Sequence, residues 1–211
     1  MNRVAQAAFV GARGFDTIAT IDATHAASLR AWGMQFAVRY LGSLTTEEVD
    51  VLLAAELAVM PVTYGVRHGT VLDASLGTNF GFSSLHHAQV AGLPQGVTVW
   101  LDLESCTGTA ADVIEFVSSW TSPIIQGGYM PGLYVGAGAL LSSAELYALP
   151  VVRYWQSLSK ETDARGNLAE PNCGWTMIQL YNSIVAGGVL VDVDVVQKDY
   201  RNRLPMWCVA A

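Results

Sequence analysis

The sequence predicts an irregular TIM-like barrel of the α/β class: five strand-helix units followed by three strands with few helices, the last strand antiparallel. Three observations carry this reading. Eight short β-rich runs punctuate the 211 residues. Five segments between the first run and the sixth have helical spacing or helix ends. Only seven residues, Asn182 to Gly188, separate the last two runs, too few for a parallel crossover and suited to a hairpin around Gly187 and Gly188.

The first run, Gly14–Ala19, precedes a helical stretch at Ala23–Trp32. After the second, Gln35–Leu41, Thr45 and Glu48 make a capping box ahead of Val49, Leu52, Leu53 and Leu57. The third, Ala58–Tyr64, leads to a helix that Ser83 or Ser84 can cap and that Gly92 and Pro94 end. The fourth, Val97–Leu103, is followed by a second box, Thr109 and Asp112, ahead of Val113, Phe116 and Val117. The fifth, Gly132–Val135, precedes a helical stretch at Ala139–Leu149. After the sixth, Val151–Ser157, the segment Leu158–Gly174 is polar and turn-rich, with Asp163, Gly166, Asn167, Pro171 and Asn172, and has no apolar stripe. Thr176–Tyr181 and Val189–Val196 complete the set.

The length suits one barrel domain spanning 1–211. Hydrophobic residues are 52% of the chain and charged ones 14%, which excludes a disordered polymer. A net charge of −7 without a basic cluster argues against nucleic acid. Every apolar run stops short of the roughly 18 residues a membrane span needs. Three scattered cysteines, Cys106, Cys173 and Cys208, indicate neither a disulfide framework nor a zinc site and favour a reduced compartment. The opening stretch to Ala12 has one Arg and a short apolar run that Gln6 interrupts, a weak signal pattern, so the expectation is cytoplasmic synthesis without a clear signal peptide, with action at a cell wall after release or delivery. No metal or cofactor is expected: His86 and His87 are adjacent, which on a helix turns them about 100° apart, and His25 and His68 stand alone. Cys106 reads as a small rim residue rather than a nucleophile.

Alternation along Val97–Ser105 puts Val97, Val99, Leu101 and Leu103 on one face, under the helices. Thr98, Trp100, Asp102 and Glu104 then point into the barrel, with Glu104 at the C-terminal end where barrel enzymes hold their chemistry. Inward carboxylates are costly unless paired or protonated, so an Asp-x-Glu here points to function. Asp16 ends the first run, as a turn or helix-capping residue or as a third acid at the same rim. Asp192 and Asp194 share one face of the last run; if it is antiparallel, Asp192 meets Glu104 at the rim and Asp194 lies roughly 7 Å deeper. Such a set suits glycoside hydrolysis, one carboxylic acid protonating the leaving oxygen while another carboxylate stabilises charge or activates a nucleophile. Trp100, Tyr129, Tyr134, Trp155 and Tyr181 are candidates for a sugar-stacking platform or for plain core. Gln179 is a candidate for bonding a sugar hydroxyl or for a solvated polar position.

Taken in order, Gly14-Phe-Asp16, His87-Ala-x-x-x-Gly-Leu-Pro94, Val99-Trp-Leu-Asp-Leu-Glu104, Gly132-Leu-Tyr-Val-Gly136, Tyr154-Trp-Gln156, Ile178-Gln-Leu-Tyr181 and Val191-Asp-Val-Asp194 resemble the family 25 glycoside hydrolases, the lysozyme-like muramidases. They resemble more closely the related glycoside-hydrolase-like domain, formerly a domain of unknown function. The resemblance covers nearly the whole chain. It implies Glu104 as general acid, Asp102 as its charge partner or stabiliser, and Asp16 and Asp192 at the remaining acidic positions. Asp194 stands where muramidases tend to carry Asn, and is placed with Gln179, Tyr181, Tyr134, Trp155 and Trp100 among substrate-binding candidates. The implied substrate is a β-linked N-acetylated glycan, bacterial peptidoglycan foremost. The same resemblance admits a barrel that binds glycan with little or no turnover, or a component or cargo of a phage or secretion assembly.

Overall fold

The computed structural model describes residues 2–66, 68–162 and 167–211, so Asp163 and Gly166 of the predicted loop lie outside the described residues. In chain order the elements are β1 (Arg3–Ala7), β2 (Arg13–Thr17), α1 (Ala23–Ala31), β3 (Phe36–Tyr40), α2 (Thr46–Ala54), β4 (Ala58–Thr63), α3 (Ala74–Val90), β5 (Thr98–Leu103), α4 (Ala110–Gln126), β6 (Met130–Val135), α5 (Ser143–Ala148), β7 (Arg153–Gln156), β8 (Met177–Ala186), β9 (Val189–Val196) and β10 (Met206–Ala210). Eight strands close a barrel in the order β4-β3-β2-β9-β8-β7-β6-β5, with β5 returning to β4 through Val62 opposite Trp100 and Thr63 opposite Leu101. Neighbours from β2 through β8 in chain order pair in parallel, and β9 runs antiparallel to both β8 and β2, as the short connection predicts.

The β8–β9 hairpin is longer than expected. Its strands continue to Ala186 opposite Val189, leaving Gly187 and Gly188 as a two-residue loop. Both have positive φ, 58° and 88°, which a twist-matched hairpin turn requires and a side chain would oppose. Two strands lie outside the eight expected: β10 joins β4 antiparallel at Cys208 opposite Val59, and β1 pairs with β10 along its length. Among the described residues no helix is long and apolar enough to cross a membrane.

Side-chain oxygens cap the helices. Thr109–Asp112 forms the predicted capping box in full, and Ser142–Glu145 forms a further one on α5, which is shorter than the predicted Ala139–Leu149. Asp73, not Ser83 or Ser84, caps α3; those serines lie inside it, Ser84 bonding Trp120 Nε1 at 3.1 Å. The Thr45–Glu48 box is half made: Thr45 accepts from Glu48 N–H, while the Glu48 carboxylate turns to Arg39. Helices α3 and α4 sit very close because Gly77 and Gly81 lack side chains. A Cβ there would lie 2.2 Å from the Phe116 carbonyl oxygen and 2.6 Å from that of Trp120.

Strand alternation sorts the core into two layers. Phe15, Ala37, Val59, Val97, Val99, Leu101, Leu103 and Leu133 pack outward beneath the helices. Phe36, Val38, Met60, Val62, Trp100, Trp155, Met177 and Val196 fill the lumen. Gly14 and Gly132 make room for this filling: a Cβ at either would lie 2.5 Å from the Phe36 ring or 2.4 Å from the Trp100 ring. Trp207 of β10 closes the lower end against Phe36, ring centroids 5.9 Å apart. The filled lower barrel leaves the lumen open toward its C-terminal mouth.

Candidate active site

Five carboxyl groups gather at that mouth. Asp16, next to last in β2, lies directly opposite Asp192 of β9, and Asp194 lies two residues further along β9, opposite Gly14 and Gln179. Asp102 projects from β5 opposite Tyr134. Glu104 follows β5, with Ser105 turning the chain at φ 52°. Asp192 has Asp16 as its strand partner, and its charge also acts on Glu104 at the rim, as expected of the antiparallel strand. Gly136, just after β6, leaves the space that Glu104 occupies, since a Cβ there would lie 2.3 Å from Glu104 Oε2. Ser159 Oγ donates to the same Oε2 at 3.4 Å.

Gln179 is the hub. Its Oε1 accepts from Leu158 N–H at 3.0 Å and from the Tyr134 hydroxyl at 3.1 Å, which fixes the amide with Nε2 toward the acids. Nε2 donates to Asp192 Oδ2 at 2.9 Å and Asp16 Oδ2 at 3.2 Å. Asp192 Oδ1 also accepts from Ser183 N–H at 2.7 Å. Both ends of the Gln179 amide are thus engaged by protein groups.

The predicted aromatics divide. Trp100 and Trp155 are 0% and 1% exposed, so they floor the site and offer no open face; Trp155 Nε1 donates to Asp194 Oδ1 at 3.0 Å. Tyr134 is nearly buried and bonded through its hydroxyl. Tyr129 lies outside the lumen, donating to the Leu93 carbonyl. Tyr181 stands exposed on the irregular stretch of β8. The sequence reading missed Tyr40 and Tyr64, whose rings stack 4.5 Å apart at 32°. Tyr40 shares the inward face of β3 with Phe36 and Val38, and that alternation was the available signal. A cavity of about 150 Å³ between Asp16, Thr17, Ile18, Tyr40, Leu190 and Asp192 opens beside the acids. A larger one, about 360 Å³, lies at the other end beside Phe9 and Trp207 and contains none of them.

Burial dominates the electrostatics. It pushes the Asp16 carboxyl up to about 7, assisted by the charge of Asp192 and opposed by the Gln179 hydrogen bond. It does the same to Asp102, up to about 7, assisted by Glu104 and Asp16. Half-buried Glu104 is raised by burial against the lowering effect of Ser159, and Asp194, fully enclosed, is held well above the carboxylate range. Burial also pushes the Cys106 thiol up to about 12, which removes it as a nucleophile at neutral pH. Among the described residues no group of three or more His, Cys, Asp or Glu is arranged to hold a metal ion.

These shifts set the pH dependence of stability. A carboxyl raised in the folded state binds its proton there while the unfolded chain has released it, so stability falls as pH rises from about 4 through about 7. A single group moved from 3.8 to about 7 withdraws about 4 kcal/mol once fully ionised. Exposed Asp22, Asp50 and Asp112 are lowered and act oppositely, at the acid end. The expected calorimetric result is a melting temperature that peaks near pH 5 and declines toward pH 8 at fixed ionic strength. A flat or rising profile over that window contradicts protonated acids in the mouth.

Residues 27–199 match the family model of the Rv2525c-like, glycoside hydrolase-like domain. Among solved structures, an uncharacterized B. stearothermophilus protein has 18% identity and a TM-score of 0.70, covering 89% of this chain and 96% of its own. The Mycobacterium tuberculosis Tat-secreted protein Rv2525c, solved in complex with L-tartrate, has 19% identity and a TM-score of 0.68, covering 91% and 100%. The bacterial lysozyme from Streptomyces coelicolor has 13% identity and a TM-score of 0.56, covering 89% and 92%. At these identities the likeness is one of fold. No functionally curated protein matches the sequence.

Proposed function

The chain belongs to the Rv2525c-like, glycoside hydrolase-like domain family, and from that premise we propose that it hydrolyses a β-linked N-acetylated glycan, bacterial peptidoglycan foremost, with Glu104 as general acid. One observation carries the reading: five carboxyl groups meet at the open end of a filled barrel, in environments that set them apart. Glu104 is half-buried with one weak hydroxyl donor, and burial raises its carboxyl above the ordinary glutamate range, which favours the protonated form. Asp192 accepts from two N–H groups, which orients it as an acceptor. Two acids with opposed surroundings are what proton donation to a leaving oxygen and stabilisation of the developing positive charge require. Asp102 and Asp16 flank them and hold further charge or water. Tyr40, Tyr64 and Tyr181 supply the accessible aromatic edge that buried Trp100 and Trp155 do not. The lysozyme of this fold supports the choice of substrate class.

The test is mass spectrometry of soluble products from purified peptidoglycan and from chitin-type oligomers, with heat-inactivated protein as control. New reducing ends identify the bond cut. Saturable glycan binding with no product over long incubation overturns the hydrolase reading in favour of a binding barrel.

A further inference from the structure

Resting on the glycosidase reading, we propose that Asp194 is a positioning residue that remains protonated, donates its carboxyl hydrogen to Asp16 and so holds the Asp16–Gln179–Asp192 array in register beneath the reacting bond. Asp194 is 0% exposed. Its Oδ1 accepts from Trp155 Nε1 at 3.0 Å, and no N–H or hydroxyl donates to its Oδ2. Its diagonal neighbour on the inward face of the β2–β9 pair is Asp16, since Asp192 stands opposite Asp16 and Asp194 opposite Gly14, and the charge of Asp16 raises the Asp194 carboxyl further. Two carboxylates cannot bond each other unless one keeps its hydrogen.

The surroundings decide which one keeps it. Asp16 receives Gln179 Nε2 and lines the open cavity, so its charge has a donor and access to water. Asp194 has one neutral indole donor and no solvent, a setting in which an ionised carboxylate costs several kcal/mol. The groups packed around it are Asp16 from β2, Gln179 from β8, Trp155 from β7 and Asp192 on its own strand, with Asp102, Glu104, Tyr40 and Tyr134 across the mouth. Among the described residues no Lys or Arg forms an ion pair with any of the five acids; Arg39, on the outer face of β3, is committed to Glu48. The hydrogen therefore resides on Asp194, which reads as an amide in acid form: one oxygen accepting, one group donating.

That equivalence supplies the test. Asp194→Asn keeps an acceptor for Trp155 and a donor for Asp16, whereas Asp194→Leu keeps the volume and loses both. Carboxyl ¹³C NMR titration of aspartate-labelled protein is expected to show one resonance still protonated at pH 7, absent from Asp194→Asn. The Asp16 midpoint should be similar in native protein and Asp194→Asn and move upward in Asp194→Leu, because the donated hydrogen bond stabilises ionised Asp16. Where glycan is cleaved, Asp194→Asn should stay within about tenfold of native and Asp194→Leu should fall by about 100-fold, the scale of a displaced catalytic group. An Asp194 resonance ionised by pH 5 overturns the proposal, as does an unchanged Asp16 midpoint in Asp194→Leu. If Asp194→Leu fails to fold, the Asp194 resonance in native protein decides alone. The titrations need no turnover, so an inactive native protein removes the glycosidase reading and leaves this measurement standing.

Discussion

Glu104→Gln is expected to lower the rate of glycan cleavage by about 10²–10⁴-fold, the range general-acid catalysis contributes, while leaving the fold intact. The substitution changes little in shape. Glutamine fits the space that Gly136 leaves and can still accept from Ser159 Oγ, which stands 3.4 Å from Oε2. It removes the proton that Glu104 would hand to a departing sugar oxygen. It also removes a carboxyl whose ionisation burial opposes, so the melting temperature at pH 8 should be unchanged or higher than native. A substrate whose leaving group needs no proton, such as a nitrophenyl glycoside, should be far less affected, which separates lost acid catalysis from lost binding. If Glu104→Gln releases products at the native rate, the proton comes from another group, and Asp102, on the same face of the chain and pushed by burial up to about 7, is the next to replace.

Much of this site is written in side-chain alternation. The acid-bearing face of β5 follows from Val97, Val99, Leu101 and Leu103 needing the helix side, and the antiparallel direction of β9 follows from the short link around Gly187 and Gly188. Alternation assigns a face but not a depth. Trp100 and Trp155 share an inward direction with Asp102 and Asp194, yet a barrel of eight strands must fill its lumen with side chains, and the largest ones do so. The terminal strands escaped notice because each is five residues long and finds its partner about 200 positions away, a pairing no local pattern encodes. Gln179 looked like a solitary polar residue because its partners, Leu158 N–H, Tyr134, Asp16 and Asp192, are distant in sequence and meet only when the barrel closes. The glycines of the ordered motifs have steric reasons that the sequence alone does not disclose: Gly14, Gly132 and Gly136 stand where Phe36, Trp100 and Glu104 need room.

The largest loss of stability is expected at a pair that the sequence shows only as an interruption and a cap. Arg39 breaks the apolar run Phe36-Ala-Val-Arg-Tyr40, and Glu48 completes the apparent capping box with Thr45. In the fold both are buried, and Arg39 Nε donates to Glu48 Oε1 at 2.7 Å. The same oxygen accepts Ile21 N–H at 2.9 Å, and Arg39 also donates to the Thr17 carbonyl. One ion pair thereby fastens the end of β2, immediately after Asp16, to β3 and to the first turn of α2. Arg39→Met is expected to cost about 3–5 kcal/mol in urea denaturation, because Glu48 is left as a buried charge without its partner. Arg30→Met is the matched control: the Arg30–Glu56 pair, at 3.1 Å, is exposed, so its loss should cost less than about 1 kcal/mol. Removing both buried charges together, in Arg39→Met with Glu48→Leu, should recover a large part of the single-variant loss, since the main cost is the uncompensated charge rather than the missing contact. Equal losses for Arg39→Met and Arg30→Met would show that Glu48 finds water or a proton when Arg39 is removed, and that the end of β2 is held in place by the lumen packing beneath Asp16 instead.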